Sequence, residues 1–221
     1  MEKNDFIFRN LESRLYESSI ELTGHKKYYD NFFQQSSLNL PDGSNVLDAG
    51  CGGGLLGIGL LKEYAKKRNI DVTVHAFDNS HSMLYLAREN AVRENVEDNL
   101  RLYRVDGRDI PFQDFSFDLV MSSGMLEYIH SQEKAIKEIT RVLKPRGVLI
   151  LSFVRDNPLG YLVSKLWNFE VLPEWYLRDK LQREGIKDLG DCTVYSNNFY
   201  MKALKGILIG IKRDFSILKE L

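Results

Sequence analysis

Short apolar runs recur along the chain, separated by stretches whose apolar positions follow a helical spacing. The runs at 45–49, 72–77, 100–105, 117–122 and 147–153 read as strands. Between them, 55–69, 81–94 and 131–143 read as helices. Residues 6–37 read as one amphipathic helical stretch, with Leu11, Leu15, Ile20 and Leu22 set among charges. Leu40-Pro41-Asp42-Gly43-Ser44 is a turn that ends it. Strands alternating with helices predict parallel βαβ units. The tail is less regular: 173–184 reads as a helix, and 186–195 and 206–213 as two strands that close the sheet with an antiparallel pair. The fold class that follows is α/β, a Rossmann-like doubly wound, mostly parallel seven-stranded sheet with an antiparallel C-terminal edge strand. One domain is expected over 1–221, with a helical cap at 1–40, a cofactor-binding core at 41–153, and a cap segment with the closing hairpin at 154–221.

Val46-Leu47-Asp48-Ala49-Gly50-Cys51-Gly52-Gly53-Gly54 is the strongest chemical signal. It reads as a buried strand, a tight turn and a helix start, with glycines that let a ligand approach the main chain. The spacing Gly52-x-Gly54-x-x-Gly57 also fits a dinucleotide site, so glycine alone does not choose the ligand. The acids around it do. Asp48 suits a cationic amino group better than a pyrophosphate, or else caps the turn. Asp78, ending the second strand, can accept both hydroxyls of a ribose, or else cap the next helix beside Ser80. Asp106, before Gly107, can accept from an adenine amino group, or else close a surface turn.

Together these residues resemble the class I S-adenosylmethionine-dependent methyltransferases. The first motif is Val46–Gly54; Phe77-Asp78-Asn79-Ser80 with Met83-Leu84 is similar to the ribose-binding motif. Asp106-Gly107, Phe117-Asp118-Leu119-Val120 and Arg141-Val142-Leu143-Lys144-Pro145 follow in the family's order. The resemblance implies S-adenosyl-L-methionine as cofactor. It implies Gly50, Cys51 and Gly52 under the methionine part, Asp48 near its amino group, Asp78 on the ribose and Asp106 with Gly107 at the adenine. Asn79, Met83 and Arg108 would flank the adenosine, and Ser122 would border the cofactor. Two departures stand out: Pro145-Arg146-Gly147 replaces the usual Pro-Gly-Gly, and Tyr128 stands where many relatives carry a histidine.

Composition narrows the rest. A net charge of −1 leaves no broad basic field, so nucleic acid is not expected as a partner. No apolar run is long enough to span a bilayer, and Met1–Asp5 is polar, unlike a signal peptide. Two cysteines, Cys51 and Cys192, suit a reducing cytoplasm. The four histidines lack metal-ligand spacing, so no metal site is expected. Tyr128, His130 and His25 are the candidate bases, none strongly marked. Aromatics at 16–37 (Tyr28, Tyr29, Phe32, Phe33) and at 155–176 (Tyr161, Trp167, Phe169, Trp175, Tyr176) are expected to wall a small-molecule acceptor site, or else to pack the cap. Tyr161-x-x-x-Lys165 suggests a nicotinamide-dependent dehydrogenase, but Tyr176-x-x-x-Lys180 repeats it, so the pattern carries little.

Overall fold

The computed structural model describes residues 14–194 and 196–214. Its seven strands are β1 Ser44–Ala49, β2 Val72–Asp78, β3 Leu100–Arg104, β4 Phe117–Ser123, β5 Leu143–Val154, β6 Ile186–Asp191 and β7 Lys205–Lys212. They lie in the order β3-β2-β1-β4-β5-β7-β6. The first five are parallel, and β7 runs antiparallel to both β5 and β6. The antiparallel strand β7 thus lies one place inside the edge, and β6 is outermost. Chain order reverses between β1 and β4. Ligands bind such sheets at this switch point, outside the carboxyl ends of the strands.

β1 places Val46, Leu47 and Ala49 in the core and is buried on both faces, as a central parallel strand requires, with Asp48 as its one buried charge. Its neighbours continue the pattern and divide the core in two. Val46, Val74, Leu119, Met121 and Ile150 face one layer. Leu47, Phe77, Val120, Leu149 and Leu151 face the other. The first layer is covered by α2 His25–Gln35, α3 Leu55–Leu61 and α4 His81–Glu94. The second is covered by α5 Gln132–Val142 and α7 Glu174–Arg183. α5 buries Ala135, Ile136, Ile139 and Val142, a stripe at helical spacing.

The expected boundaries hold closely, with four differences. The N-terminal stretch is not one helix. A helix over 14–23, here α1, stops at Gly24, whose φ is +78°, and α2 restarts at His25. A Cβ at Gly24 would meet Asn198 Nδ2, which donates to the Thr23 carbonyl at 2.8 Å, so the break is held from outside. Leu15 and Leu22 are exposed rather than packed, and Leu11 lies outside the described residues. The helix read at 55–69 is α3 followed by a π-turn, Lys62–Lys67, where Glu63 pairs with Lys67 and Arg68. Two helices were not read from the sequence: α6 Pro158–Trp167 and α8 Phe199–Leu204. β5 begins at Leu143 and carries the Pro145-Arg146-Gly147 turn within it, with Arg146 at φ +65°. Among the described residues no helix is long and apolar enough to cross a membrane.

Candidate functional site

Three carboxylates and the glycine turn converge at the carboxyl ends of β1, β2 and β3. The turn leaves β1 with Gly50 at φ +70°, a conformation that glycine adopts without strain. The Cys51 amide still donates to the Phe77 carbonyl at 2.8 Å, which extends the ladder one step past β1. Asp78 then takes hold of the turn: one oxygen accepts from the Gly52 amide at 2.9 Å and the other from the Ser80 amide at 2.8 Å. Ser80 in turn caps α4, its hydroxyl accepting from the Met83 amide. Ser80, not Asp78, is therefore the helix cap, and Asp78 is left as the strand-end acid that clamps the turn. Burial pushes its carboxyl up, against the three backbone amides that lower it.

Asp48 lies deeper, 1% exposed beneath the turn. Among the described residues its carboxylate receives one hydrogen bond, from the Gly57 amide at 2.8 Å. A Cβ at Gly57 would stand 3.0 Å from both that oxygen and Val74, so glycine here lets α3 settle onto the acid. Burial raises the Asp48 carboxyl to about 7, with Asp78 adding repulsion and the Gly57 amide opposing. An acid so placed ionises readily only when a cation arrives beside it. Cys51 is buried too, and its thiol is pushed well up, first by burial and then by the two acids. It is a small filler of the turn, not a reactive thiolate.

The third acid behaves differently. Asp106 is half-buried and gripped by Arg108, through Nε at 2.9 Å, a terminal guanidinium nitrogen at 2.6 Å and the backbone amide at 2.9 Å. Those contacts hold its carboxyl down at about 2. Gly107 nevertheless belongs with the turn. Met125, in the loop after β4, lies against both Gly50 and Gly107, and a Cβ on either would collide with it. Asn79 is exposed, with its carbonyl accepting from Arg104 at 3.2 Å, and Met83 lies in the first turn of α4. Ser122 is fully buried and donates to the Ala49 carbonyl at 2.9 Å, locking β4 to β1 directly below the turn.

The other half of the edge is built of hydroxyls and rings. Tyr29 from α2 reaches the ends of β4 and β5, where its hydroxyl bonds Ser152 Oγ at 2.6 Å and Ser123 Oγ at 2.8 Å. Tyr16 from α1 comes over the turn, near the space a Cβ on Gly52 would take, and its ring meets Trp167 edge-on at 6.2 Å. Burial is the first cause that raises the Tyr16 hydroxyl, followed by Tyr128, Tyr29, Asp78 and Cys51, which all face it. Tyr128 is exposed and leans on Phe169. Tyr28, Phe32 and Phe33 are buried core residues, and they do not line an open wall as the sequence suggests. The candidate bases fare unevenly. His25, bonded to Thr23 Oγ1 at 2.7 Å, is driven down to about 3 by burial and by Lys205, which leaves it a feeble proton acceptor. His130 is exposed on the loop before α5. Sequence reasoning passed over Tyr16, Met125 and the Ser152 hydroxyl, because nothing in their local patterns marks them.

A model of a methyltransferase domain matches residues 47–151. The chain is 31% identical over 154 residues to the ubiquinone/menaquinone biosynthesis C-methyltransferase UbiE of Rickettsia bellii, covering 68% of this chain and 60% of that protein. It therefore spans about 60% of the length of such curated relatives. Among solved structures it resembles a possible histamine N-methyltransferase of Thermotoga maritima, with TM-score 0.66, 18% identity, and 91% of this chain and 98% of that one covered. It resembles the [4+2]-cyclase SpnF equally in fold, with TM-score 0.66, 20% identity, and 85% and 80% covered.

The chain belongs to the class I S-adenosylmethionine-dependent methyltransferases.

The cofactor of this methyltransferase family is S-adenosylmethionine, and the site's own chemistry fits it. A buried carboxyl held near neutrality, an acid clamped at the second strand end and a cradle of side-chain-free positions match a ligand with an amino group, a ribose and a flat base. A pyrophosphate would meet two carboxylates where it needs amides. Among the described residues no cluster of His, Cys, Asp or Glu could hold a metal ion.

Proposed function

We propose that the chain transfers a methyl group from S-adenosylmethionine to a small, apolar, lipid-like acceptor. The cofactor supplies, when bound, a methyl already activated on a sulfonium. The chain's own work is then to bind, orient and exclude water. Asp48 would take the amino group, and the charge it meets there would complete its ionisation. Gly50 and Gly52 would let the methionine part lie against the main chain. Asp78 would accept from the ribose while still holding the Gly52 amide, since each carboxylate oxygen has a second lone pair. Asp106 and Gly107 would meet the adenine, with Asn79, Met83 and Arg108 at its margins. Ser122 would act from below by fixing β4 against β1.

Acceptor positioning falls to the hydroxyl-lined half. Tyr29 fixes the Ser123 and Ser152 hydroxyls, and Tyr16 and Trp167 close over the turn. Alignment alone can supply roughly 7–11 kcal/mol of a barrier, so no strong base is demanded. The relatives are named as C-methyltransferases of ubiquinone/menaquinone biosynthesis, and because such quinones are apolar ring compounds this supports an apolar acceptor. Two free cysteines suit a reducing compartment, and we place the protein in the cytoplasm.

The observation that carries this reading is the pair of amides, Gly52 and Ser80, held by one acid at the second strand end with Asp48 buried behind it. The test is transfer of a labelled methyl from S-adenosylmethionine to a panel of quinol, phenol and amine acceptors. Labelled product from an apolar acceptor supports the proposal. Cofactor binding with no product across the panel would make the chain a binding protein, and transfer only to protein or RNA would move the acceptor class.

A further inference from the structure

α6 is built inside out. Its ten residues, Pro158-Leu-Gly-Tyr-Leu-Val-Ser-Lys-Leu-Trp167, are mostly apolar, yet the two it buries are Gly160 and Ser164. The cause is close approach. A Cβ on Gly160 would collide with the Arg155 carbonyl and stand 3.1 Å from Val154, so the helix rests on the sheet end by its small face. Its large side chains therefore point outward: Leu162 is 57% exposed and Leu166, one turn on, 73%. An apolar side chain normally turns inward on such a helix.

The exposed residues do not stop at α6. Phe199, the first residue of α8, is 83% exposed, and Leu22, at the end of α1, is 91% exposed. Three contacts tie these helices into one cap. Asn157 Nδ2 donates to the Ala203 carbonyl at 2.7 Å, joining α6 to α8. Asn198 Nδ2 donates to the Thr23 carbonyl at 2.8 Å, joining α8 to α1. The Tyr16 and Trp167 rings join α1 to α6. Through Tyr16 the cap reaches over the glycine turn, so it adjoins the acceptor half of the site.

We propose that this cap, with Leu22, Leu162, Leu166 and Phe199 as its apolar contacts, docks onto the surface of an anionic lipid bilayer. Contiguous exposed apolar surface on a protein marks an interaction site. Two features select a bilayer. Tyr161 and Trp167 flank the leucines on α6, and such rings settle at the level of lipid head groups. α6 and α8 also carry Lys165 and Lys202 and no acid, and on α1 Glu17 pairs with Arg93, so Glu21 is the one acid beside this apolar patch. Lysines beside an apolar helix face complement anionic lipid. A symmetric pairing of two copies through the same patch would instead set those lysines against each other. Docking here would open the acceptor half toward the phase where an apolar acceptor dissolves. The inference extends the lipid-like acceptor reading, but binding to lipid is measured without acceptor or cofactor, so either can fail alone.

The test is flotation of the purified chain with vesicles of phosphatidylcholine alone and of phosphatidylcholine mixed with phosphatidylglycerol. The wild type is expected to float with the mixed vesicles and to bind the neutral ones about tenfold less. Leu162→Glu with Leu166→Glu is expected to weaken vesicle binding by about tenfold or more, with S-adenosylhomocysteine binding unchanged as the check on folding. Lys165→Glu with Lys202→Glu is expected to remove the preference for anionic lipid. If the leucine pair impairs folding, the milder Leu166→Ser replaces it. Absence of binding to either vesicle, or equal binding by wild type and folded variants, would overturn the proposal. So would sedimentation showing a dimer that the leucine variant abolishes, since the patch would then belong to a second copy.

Discussion

The two halves of the carboxyl edge are built by different means. The donor half, around β1 to β3, comes from short consecutive segments, and its working groups are backbone amides and the acids that hold them. The acceptor half comes from side chains far apart in the chain: Tyr16 and Tyr29 from α1 and α2, Ser123 and Ser152 from β4 and β5, Trp167 from α6. A backbone cradle must be spelled locally, in glycines and strand-end acids. A cavity lined by side chains needs only shape, which many sequences supply. On the proposed reading, the cofactor would lie on the locally spelled half and the acceptor on the other.

The largest effect is expected where an acid holds the cradle. Asp78→Ala removes two charge-assisted hydrogen bonds, each worth roughly 1.5–3 kcal/mol. Donor affinity should fall by about a hundredfold or more in calorimetry while the fold persists. A small loss would break the distinction, since the cradle would then stand without its clamp.

Asp48 sharpens it through pH. Its folded carboxyl, at about 7, lies above its usual value, so the free protein binds an extra proton between roughly pH 4 and 7. Stability of the free protein should thus decline as pH rises through that window and level off above it. Donor binding should run the opposite way, tightening by up to about tenfold per pH unit below pH 7, because the bound amino group favours the ionised acid. Asp48→Asn should flatten both profiles in thermal melts and calorimetry, and should weaken the donor.

On the acceptor half, Tyr29→Phe leaves the ring in the core and frees Ser123 and Ser152. Turnover should drop about tenfold with donor affinity unchanged, the reverse of Asp78→Ala. Equal losses in both would merge the two halves. Lys212 provides a control outside the site. Its ammonium donates to the Thr140 carbonyl at 2.5 Å and the Leu143 carbonyl at 2.7 Å, closing the end of α5. Lys212→Met should cost about 1–3 kcal/mol of stability in denaturant titration and leave donor affinity alone. Arg108→Ala should have the smallest effect. It loosens an exposed ion pair with Asp106, so stability should hold and donor affinity shift only a few-fold.

The same contrast explains what could be read from the chain. β1 to β4 and α4 were legible because the strands are short, apolar-rich stretches bounded by turn signals and α4 has a serine cap and an Asn95 stop. Asp48, Asp78 and the glycines were legible because each sits at a fixed step from a strand end. α6 was not, because its apolar residues face outward and its buried face is Gly160 and Ser164. Nor was the break at Gly24, which depends on Asn198 arriving from the far end of the chain. Tyr29 was visible as an aromatic, but burial of the ring with only its hydroxyl at the edge depends on where β4 and β5 end.

The central claim is that the glycine turn and its two clamping acids form a methyl-donor site. Isothermal titration of S-adenosylmethionine and of NADH into the wild type and into Asp78→Ala tests it most directly. One equivalent of S-adenosylmethionine should bind the wild type, the variant should bind it about a hundredfold more weakly, and NADH should bind neither. Tighter binding of NADH, or equal binding of S-adenosylmethionine by the folded variant, would contradict the account.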